Sequence, residues 1–435
     1  MPYHEGGRLP GERASRLGHL EILKSDLVKS LIRRFEANSS DTSTSSVTWE
    51  LIPNDAKPLS IIFGVDGSWQ TVTSDFPPYK ELAFIKTALI RLDQKALDNI
   101  DRDSPHPFEL RDLMSNSAIY HATVLPLKNI SVPGMSVYNT VRETIYDSIK
   151  DASLNSEIME TLKWIAYEKW SGQKKSLPVF ECPYCESTEA TLEYDEEVGE
   201  CPKCHKKILL TDMLGFHMDM APDSVPITVV GSYMAIHETL MIFTGIRYYW
   251  EHNKEILRHC LFVKDGPLSI RAQYSKLVNP IRRFLEYAKN SKVDIHIIGQ
   301  EKSGKFWEHL ELIHKGAPEK SLYIPGDRYI KSEVQSRPNT GAPYGRDTNY
   351  GAKVFLNISN YHHSVLNIPT GMYKADPSIK DLIGAKKIFA TIPTILSSKY
   401  EGALLPVELA NGIASLSTYP SAQILKLFSI YNDTL

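Results

Sequence analysis

Apolar residues recur every three or four positions near the start of the chain. Leu20, Leu23, Leu27, Leu31 and Phe35 form one stripe, with Val28 and Ile32 beside it and Lys24, Lys29, Arg33 and Arg34 elsewhere on the circumference. That period predicts an amphipathic helix, packed on its own domain or against a second subunit or partner. The Ser/Thr/Asn/Asp cluster from Asn38 to Ser46 predicts a loop. Short apolar runs at 48–52 and 60–65 then predict strands. The second, Ile61-Ile62-Phe63-Gly64-Val65, ends abruptly in Asp66-Gly67-Ser68, which reads as a tight turn, with a further strand beginning at Thr71. After the break at Phe76-Pro77-Pro78, Leu82–Leu92 reads as a third strand, giving a meander with Asp66 at the end of its first strand.

Residues 95–180 lack strand alternation and carry helix-period apolar positions over Val141–Ile149 and Ile158–Trp170. Pro226–Val230 reads as a strand or lead-in, and Ser232–His259 as a long helix, apolar on most sides, with Glu238 among its apolar residues. Leu261-Phe262-Val263-Lys264-Asp265-Gly266-Pro267-Leu268 repeats the grammar of the first motif: a short apolar strand, then Asp-Gly. Beyond it, Ile281–Ala288 is helical, Asp294–Ile298 strand-like, and Lys353–Ile358, Ser364–Ile368 and Lys387–Ile392 are further strand candidates. Leu405-Pro406 through Asn411 leads into a final helical segment.

Composition is ordinary, with 42% hydrophobic and 23% charged residues and a formal net charge of −3 over 435 residues. That balance argues against a protein that coats nucleic acid by charge alone, so any such binding needs a local groove or a partner. The polar N-terminus and the charges interrupting the 226–250 segment point to a cytoplasmic protein with no membrane span.

Four of the five cysteines form Cys182-x2-Cys185 and Cys201-x2-Cys204, fifteen residues apart. This is the spacing of a four-cysteine zinc ribbon, a closed structural site. The acidic stretch between the pairs, with Glu186, Glu189, Glu193, Asp195, Glu196, Glu197 and Glu200, would repel phosphates. The ribbon therefore reads as a structural insert or protein-contact module, and Cys260 as a core residue.

The chemistry converges on three carboxylates, Asp66, Glu238 and Asp265, with Glu251 the alternative glutamate. Hard divalent ions such as manganese or magnesium take oxygen ligands, and paired ions of this kind hydrolyse phosphodiesters. Lys302 would meet a phosphate, and Arg282, Arg283, Lys305, Arg328 and Arg346 form a candidate basic wall for DNA. No Ser-His-Asp set, P-loop or dinucleotide motif competes. Ser68 reads as a turn-stabilising residue.

Val65-Asp66-Gly67-Ser68 and Val263-Lys264-Asp265-Gly266-Pro267-Leu268, with the glutamate between them, Lys302 after the next strand and the Leu405–Asn411 segment, resemble the signature motifs of NurA nucleases over about residues 20–430. The resemblance implies an α/β, ribonuclease-H-like mixed sheet flanked by helices, interrupted by the zinc ribbon. It divides the chain into an N-terminal helix and loop (1–47), a nuclease domain (48–177 and 211–435) and the ribbon (178–210). It also implies a manganese- or magnesium-dependent homodimeric DNA nuclease working with a HerA-type hexameric ATPase, in end resection and repair or in antiviral defence. The family places a histidine on the C-terminal helix. Here that segment offers Glu408 or Asn411, and His362 or His363 lies earlier; the family's tyrosine could be Tyr329 or Tyr350. The alternative is an inactive scaffold that binds DNA ends and the ATPase through the ribbon.

Overall fold

The structure is a computed structural model and describes residues 22–35, 47–93, 118–338, 340–359, 362–397, 402–416 and 420–430. The predicted loop at 38–46, the polar stretch 95–117, Leu20, Tyr400 and Glu401 lie outside the described residues. The chain divides into two units, Met1–Val47 and Thr48–Leu435. The first contains helix α1 (Asp26–Arg34), capped by Ser25, whose hydroxyl accepts from the Val28 N–H at 3.4 Å.

The second unit is built on a mixed sheet of nine strands: β1 (Glu50–Leu51), β2 (Ile61–Thr73), β3 (Glu81–Asp93), β4 (Ala118–Lys128), β7 (Cys260–Asp265), β8 (His296–Glu301), β9 (Ser321–Tyr323), β10 (Ala352–Ser359) and β11 (His362–Ile368). The order across it is β1-β9-β10-β11-β8-β7-β2-β3-β4. β2, β3 and β4 form an antiparallel meander, β2, β7 and β8 are parallel, and β11, β10, β9 and β1 return antiparallel. A separate hairpin, β5 (Val198–Glu200) with β6 (Lys207–Leu209), belongs to the cysteine region. The helices used below are α2 (Val137–Ile149), α3 (Glu157–Ala166), α4 (Ile227–His252), α5 (Val278–Asn290), α6 (Lys305–Ile313), α7 (Ala385–Thr391), α8 (Leu405–Ala414) and α9 (Ser421–Ile430).

Four expectations are corrected. Asp66-Gly67-Ser68 is not a turn: β2 runs unbroken through it, paired residue by residue with β3 from Ile61↔Asp93 to Thr73↔Glu81. The reversal comes later, where Ser74 and Lys80 bond across the Phe76-Pro77-Pro78 segment. The 95–180 stretch does contain a strand, β4; it is the sheet's edge, half-exposed and carrying Pro126, so it shows little alternation. Pro226 is the N-cap of α4, whose helix takes in the whole Ile227–Val230 run. Lys387–Ile392 lies in α7 and the single turn after it, because Ala385, Ile388, Phe389 and Ile392 recur at helical spacing and are buried together.

The strands separate two apolar layers. Phe63 and Val65 of β2 and Phe262 of β7 pack with α4, while Ile62, Leu261 and Val263 pack with Val407 and Ala410 of α8. Helix α4 passes the length test for a membrane span, but most of its apolar window is buried inside the protein. Two glycines of β2 set how closely these layers approach. A Cβ at Gly64 would collide with the Pro406 carbonyl of α8, and one at Gly67 would lie 2.6 Å from Met234 Cγ and 2.8 Å from Glu238 Oε1 of α4.

Replacing Gly64 with alanine is expected to destabilise the protein by about 2–4 kcal/mol, because the collision is with backbone that cannot swing aside. Gly316→Ala, where nothing lies within 4 Å, is expected to be near neutral. Urea unfolding of the two variants side by side measures the difference.

Candidate active site

Alternation along a strand sends successive side chains to opposite faces. On β2, Val65 faces α4 and Asp66 faces α8; on β7, Lys264 faces α4 and Asp265 faces α8. Val65 is in register with Lys264, so Asp66 and Asp265 are the next positions on two neighbouring parallel strands, which lie about 4.8 Å apart. Glu238 lies against the bare backbone at Gly67 from the α4 side, close enough for its charge to act on both.

Asp66 is 4% exposed. Its Oδ1 accepts from the Gly67 N–H at 2.7 Å, and its Oδ2 is buried with no hydrogen-bond partner. Burial, then the charges of Asp265 and Glu238, push its carboxyl up to about 7, with the Gly67 N–H and Lys302 opposing. Asp265 is partly exposed and ion-paired to Lys302 at 2.7 Å. Glu238 is buried against Lys264, Nζ to Oε2 2.6 Å, and the same ammonium donates to the Asp265 carbonyl at 2.9 Å. Burial drives Glu238 upward, with Lys264 opposing. Burial acts to lower Lys264, but Glu238, Tyr350 and Asp265 together outweigh it and the lysine is held above its ordinary value, as an ammonium. Tyr350 is fully buried next to this pair, its hydroxyl 3.4 Å from Thr239.

The structure thus brings together Asp66, Glu238, Asp265 and Lys302, and adds Lys264. The signal for Lys264 was in the motif itself: a lysine in an otherwise apolar strand, one residue before the aspartate. Glu251 is on the last turn of α4, partly exposed and paired with Arg247, so Glu238 is the glutamate at this position. Ser68 is not a turn residue. Its hydroxyl donates to the Ala414 carbonyl at 2.6 Å and accepts from the Leu416 N–H at 2.8 Å, fastening the end of α8 to β2.

The fourth corner differs from the expectation. Glu408 accepts from Ser397 at 2.5 Å, Asn411 is exposed, and His363 contacts Glu311. Helix α8 touches β2 at Pro406 against Gly64 and at Ala414 against Ser68. Eight helical residues and four strand residues both span roughly 12–13 Å, so α8 runs alongside β2 and the residue level with Asp66 is the buried Ala410. Tyr329 bonds His309 at 2.8 Å instead.

The basic residues divide. Lys305 is exposed at the start of α6, three residues from Lys302, and Arg328 is exposed. Arg346 is exposed and paired with Asp347 at 3.3 Å, and Arg283 pairs with Glu168. Arg282 is buried, its guanidinium spent on the carbonyls of Gly345, Arg346 and Asn349, so it braces that loop and presents no free face to a phosphate.

The cysteines form a second centre. All four Sγ atoms lie within 4.8 Å of one another, with Cys182–Cys204 at 3.7 Å and Cys185–Cys201 at 3.8 Å. A tetrahedral zinc with Zn–S near 2.3 Å needs sulfurs about 3.8 Å apart, the spacing these two pairs already have, so the set is compatible with zinc. Each knuckle closes the same way, Glu186 N–H to Cys182 carbonyl and His205 N–H to Cys201 carbonyl, with Glu186 and His205 at positive φ. His205 is a knuckle residue and no part of the sulfur cluster. The acidic stretch is partly neutralised: Asp195 and Glu197 are paired with Lys150, Lys163 and Lys169 of the surrounding fold, while Glu189, Glu193, Glu196 and Glu200 are exposed. Cys182 and Cys201 are fully buried in the same apolar cluster as β2, β3 and α4. Arg142, in a buried pair with Asp212, donates to Tyr184 of the first knuckle at 2.8 Å.

No family model and no curated protein matches the chain. Among solved structures, it is similar to the NurA nuclease from Sulfolobus solfataricus, at 11% identity and TM-score 0.36, over 97% of this chain and 98% of that one. A second NurA structure aligns at 11% identity and TM-score 0.31, over 96% and 97%, and NurA bound to dAMP and manganese at 11% and 0.28, over 95% and 96%. At these values the likeness carries no functional argument, which rests on the site's own residues.

Two outcomes test the centres. Asp66 holds a proton up to about pH 7 in the folded, metal-free protein, while the unfolded chain releases it near pH 4. Folding stability in chelator should therefore fall between pH 4 and 7 relative to Asp66→Asn, by about 4 kcal/mol at most, with the gap closing when manganese is added. Urea unfolding across pH measures this. Zinc removal, or Cys201→Ser, should lower the unfolding temperature on the order of 10 °C, because the knuckles are core; calorimetry checks it.

Proposed function

We propose that this protein is a divalent-metal-dependent DNA nuclease. The observation that carries the reading is Asp66: a buried carboxylate with an oxygen left unbonded, beside Asp265 on the next strand and close enough to Glu238 of α4 to feel its charge. Three such groups repel one another, and a cation is what makes their convergence favourable. The order β4-β3-β2-β7-β8, with the first three antiparallel and β2, β7 and β8 parallel, supports a ribonuclease-H-like core, interrupted by the ribbon at 178–210.

Asp66, Asp265 and Glu238 would hold manganese or magnesium, which activates water and stabilises the leaving oxygen in phosphodiester hydrolysis. The chain's own residues position the rest. Lys264 fixes Glu238 and the carbonyl at Asp265. Lys302, on Asp265 in the present arrangement, is long enough to turn to a phosphate once a cation takes its place. Lys305 and Arg328 extend positive charge beyond it. The sequence resemblance adds a homodimer acting on DNA ends or single strands in the cytoplasm with a HerA-type hexameric ATPase, in end resection or antiviral defence.

A second reading is favoured by Ala410: with no ligand offered from α8, the fold would serve as a metal-free scaffold for DNA ends and the ATPase. Cleavage assays on linear and single-stranded DNA with manganese, with and without the ATPase, decide between them. Asp66→Ala and Asp265→Asn are expected to lose on the order of 100-fold or more, and Glu251→Gln is expected to keep full activity. If wild type and Asp66→Ala cleave equally, or isothermal titration finds no manganese site that Asp265→Asn removes, the nuclease reading fails.

A further inference from the structure

The histidine expected at the carboxylate site belongs to another cluster. Helix α6 carries Glu311 in its last turn and is followed directly by His314, three residues on and thus on the same face. His363, at the start of β11, meets them: its Nε2 contacts Glu311 Oε1, and its ring lies over that of His314 with centroids 4.3 Å apart. One ligand atom from each of the three lies within 4.8 Å of the others. On β11, Leu366 and Ile368 face the α8 layer, so His363, at an odd position, faces α6 on the other side of the sheet from Asp66 and Asp265.

We propose that Glu311, His314 and His363 form a second divalent-metal site, for a zinc-like first-row ion, independent of both the cysteine ribbon and the carboxylate centre. Two imidazoles and one carboxylate are the donor set such ions take, with a fourth position left to water. The tautomer of His314 is already fixed for the task. Its Nδ1 lies 3.1 Å from the Leu310 carbonyl, which can only accept, so the proton sits on Nδ1 and the Nε2 lone pair is free. His363 is buried at 4% exposure and stacked on Trp307 at 5.1 Å, which holds its ring in place. Glu311 and His314 are more exposed, leaving an entry path and the freedom for His314 to tilt out of its stack so that the two lone pairs converge. The proposal does not depend on the nuclease reading.

The test uses the full chain carrying Asp66→Asn, with zinc already bound to the ribbon, so that neither other centre contributes a change. Zinc titration by calorimetry, with metal per chain counted by plasma emission after desalting, is expected to show one further equivalent and a rise in unfolding temperature. His314→Ala and Glu311→Gln, both at accessible positions, should each lose that equivalent and the rise, while circular dichroism and the ribbon's zinc stay unchanged. If the parent takes up no second zinc, or the variants bind it as the parent does, the cluster is a hydrogen-bonded histidine pair with a carboxylate and the proposal is overturned.

Discussion

Lys264 and Glu238 face each other almost out of water, 2.6 Å apart, at the point where the strand carrying Asp265 meets the long helix. Taken alone such a pair contributes little to stability, because desolvating both ions offsets their attraction. Its importance is to the charges around it. Three carboxylates converge, Lys264 compensates Glu238, and Lys302 compensates Asp265. Among the described residues Asp66 has no ammonium directly on it. Burial and the charges of Asp265 and Glu238 therefore raise its carboxyl to about 7, with only the Gly67 N–H and the field of Lys302 opposing, and a cation arriving from solvent would act strongly there. Removing the Lys264 ammonium would leave Glu238 buried and uncompensated, and the glutamate would neutralise or turn away from the strands.

Strand geometry makes this arrangement possible with few residues. Because side chains alternate, a lysine and an aspartate adjacent in sequence are delivered to opposite faces, one to the helix that bears Glu238 and one to the α8 side of the sheet. The missing side chain at Gly67 lets the glutamate carboxylate lie against β2 from behind. A larger residue there would separate the two faces and move Glu238 away from Asp66. The same strand is fixed at Gly64 and Ser68 to α8, so the backbone around Asp66 is held on both sides.

The carboxylates and the cysteine knuckles were legible because each breaks a local rule: a charge inside an apolar run, or cysteines at fixed spacing; Lys264 carries the same signal, but its role depends on the helix it pairs with. What was not legible depended on pairing between distant segments. Asp66-Gly67-Ser68 reads as a turn by composition, and only thirteen residues of β3 opposite it make it a strand interior. β4 was hidden because an edge strand is half-exposed and tolerates proline, and α7 because its β-branched residues imitate a strand until Ala385 is counted with them. Arg282 could not be told from a surface arginine without seeing the loop whose carbonyls it holds. His363, at the start of β11, lies on the face of the sheet opposite to Asp66 and Asp265, a distinction that a shift of one residue decides.

The alanine level with Asp66 bears on how much of a metal's coordination the protein must supply. A helix ligand at Ala410 would close the site on the α8 side. Without it, the proposed donors would come from two strands and α4, leaving the remaining positions to water and to phosphate oxygen. Magnesium is ordinarily bound that way, through one or two carboxylates with water and substrate phosphates completing the shell. A site so built holds its metal weakly until substrate arrives, because part of the coordination is the substrate itself. On the proposed reading the displaced Asp66 carboxyl fits that order of events: a cation binding there would release the proton that burial lets it keep, and so couple metal uptake to the ionisation of a single buried group.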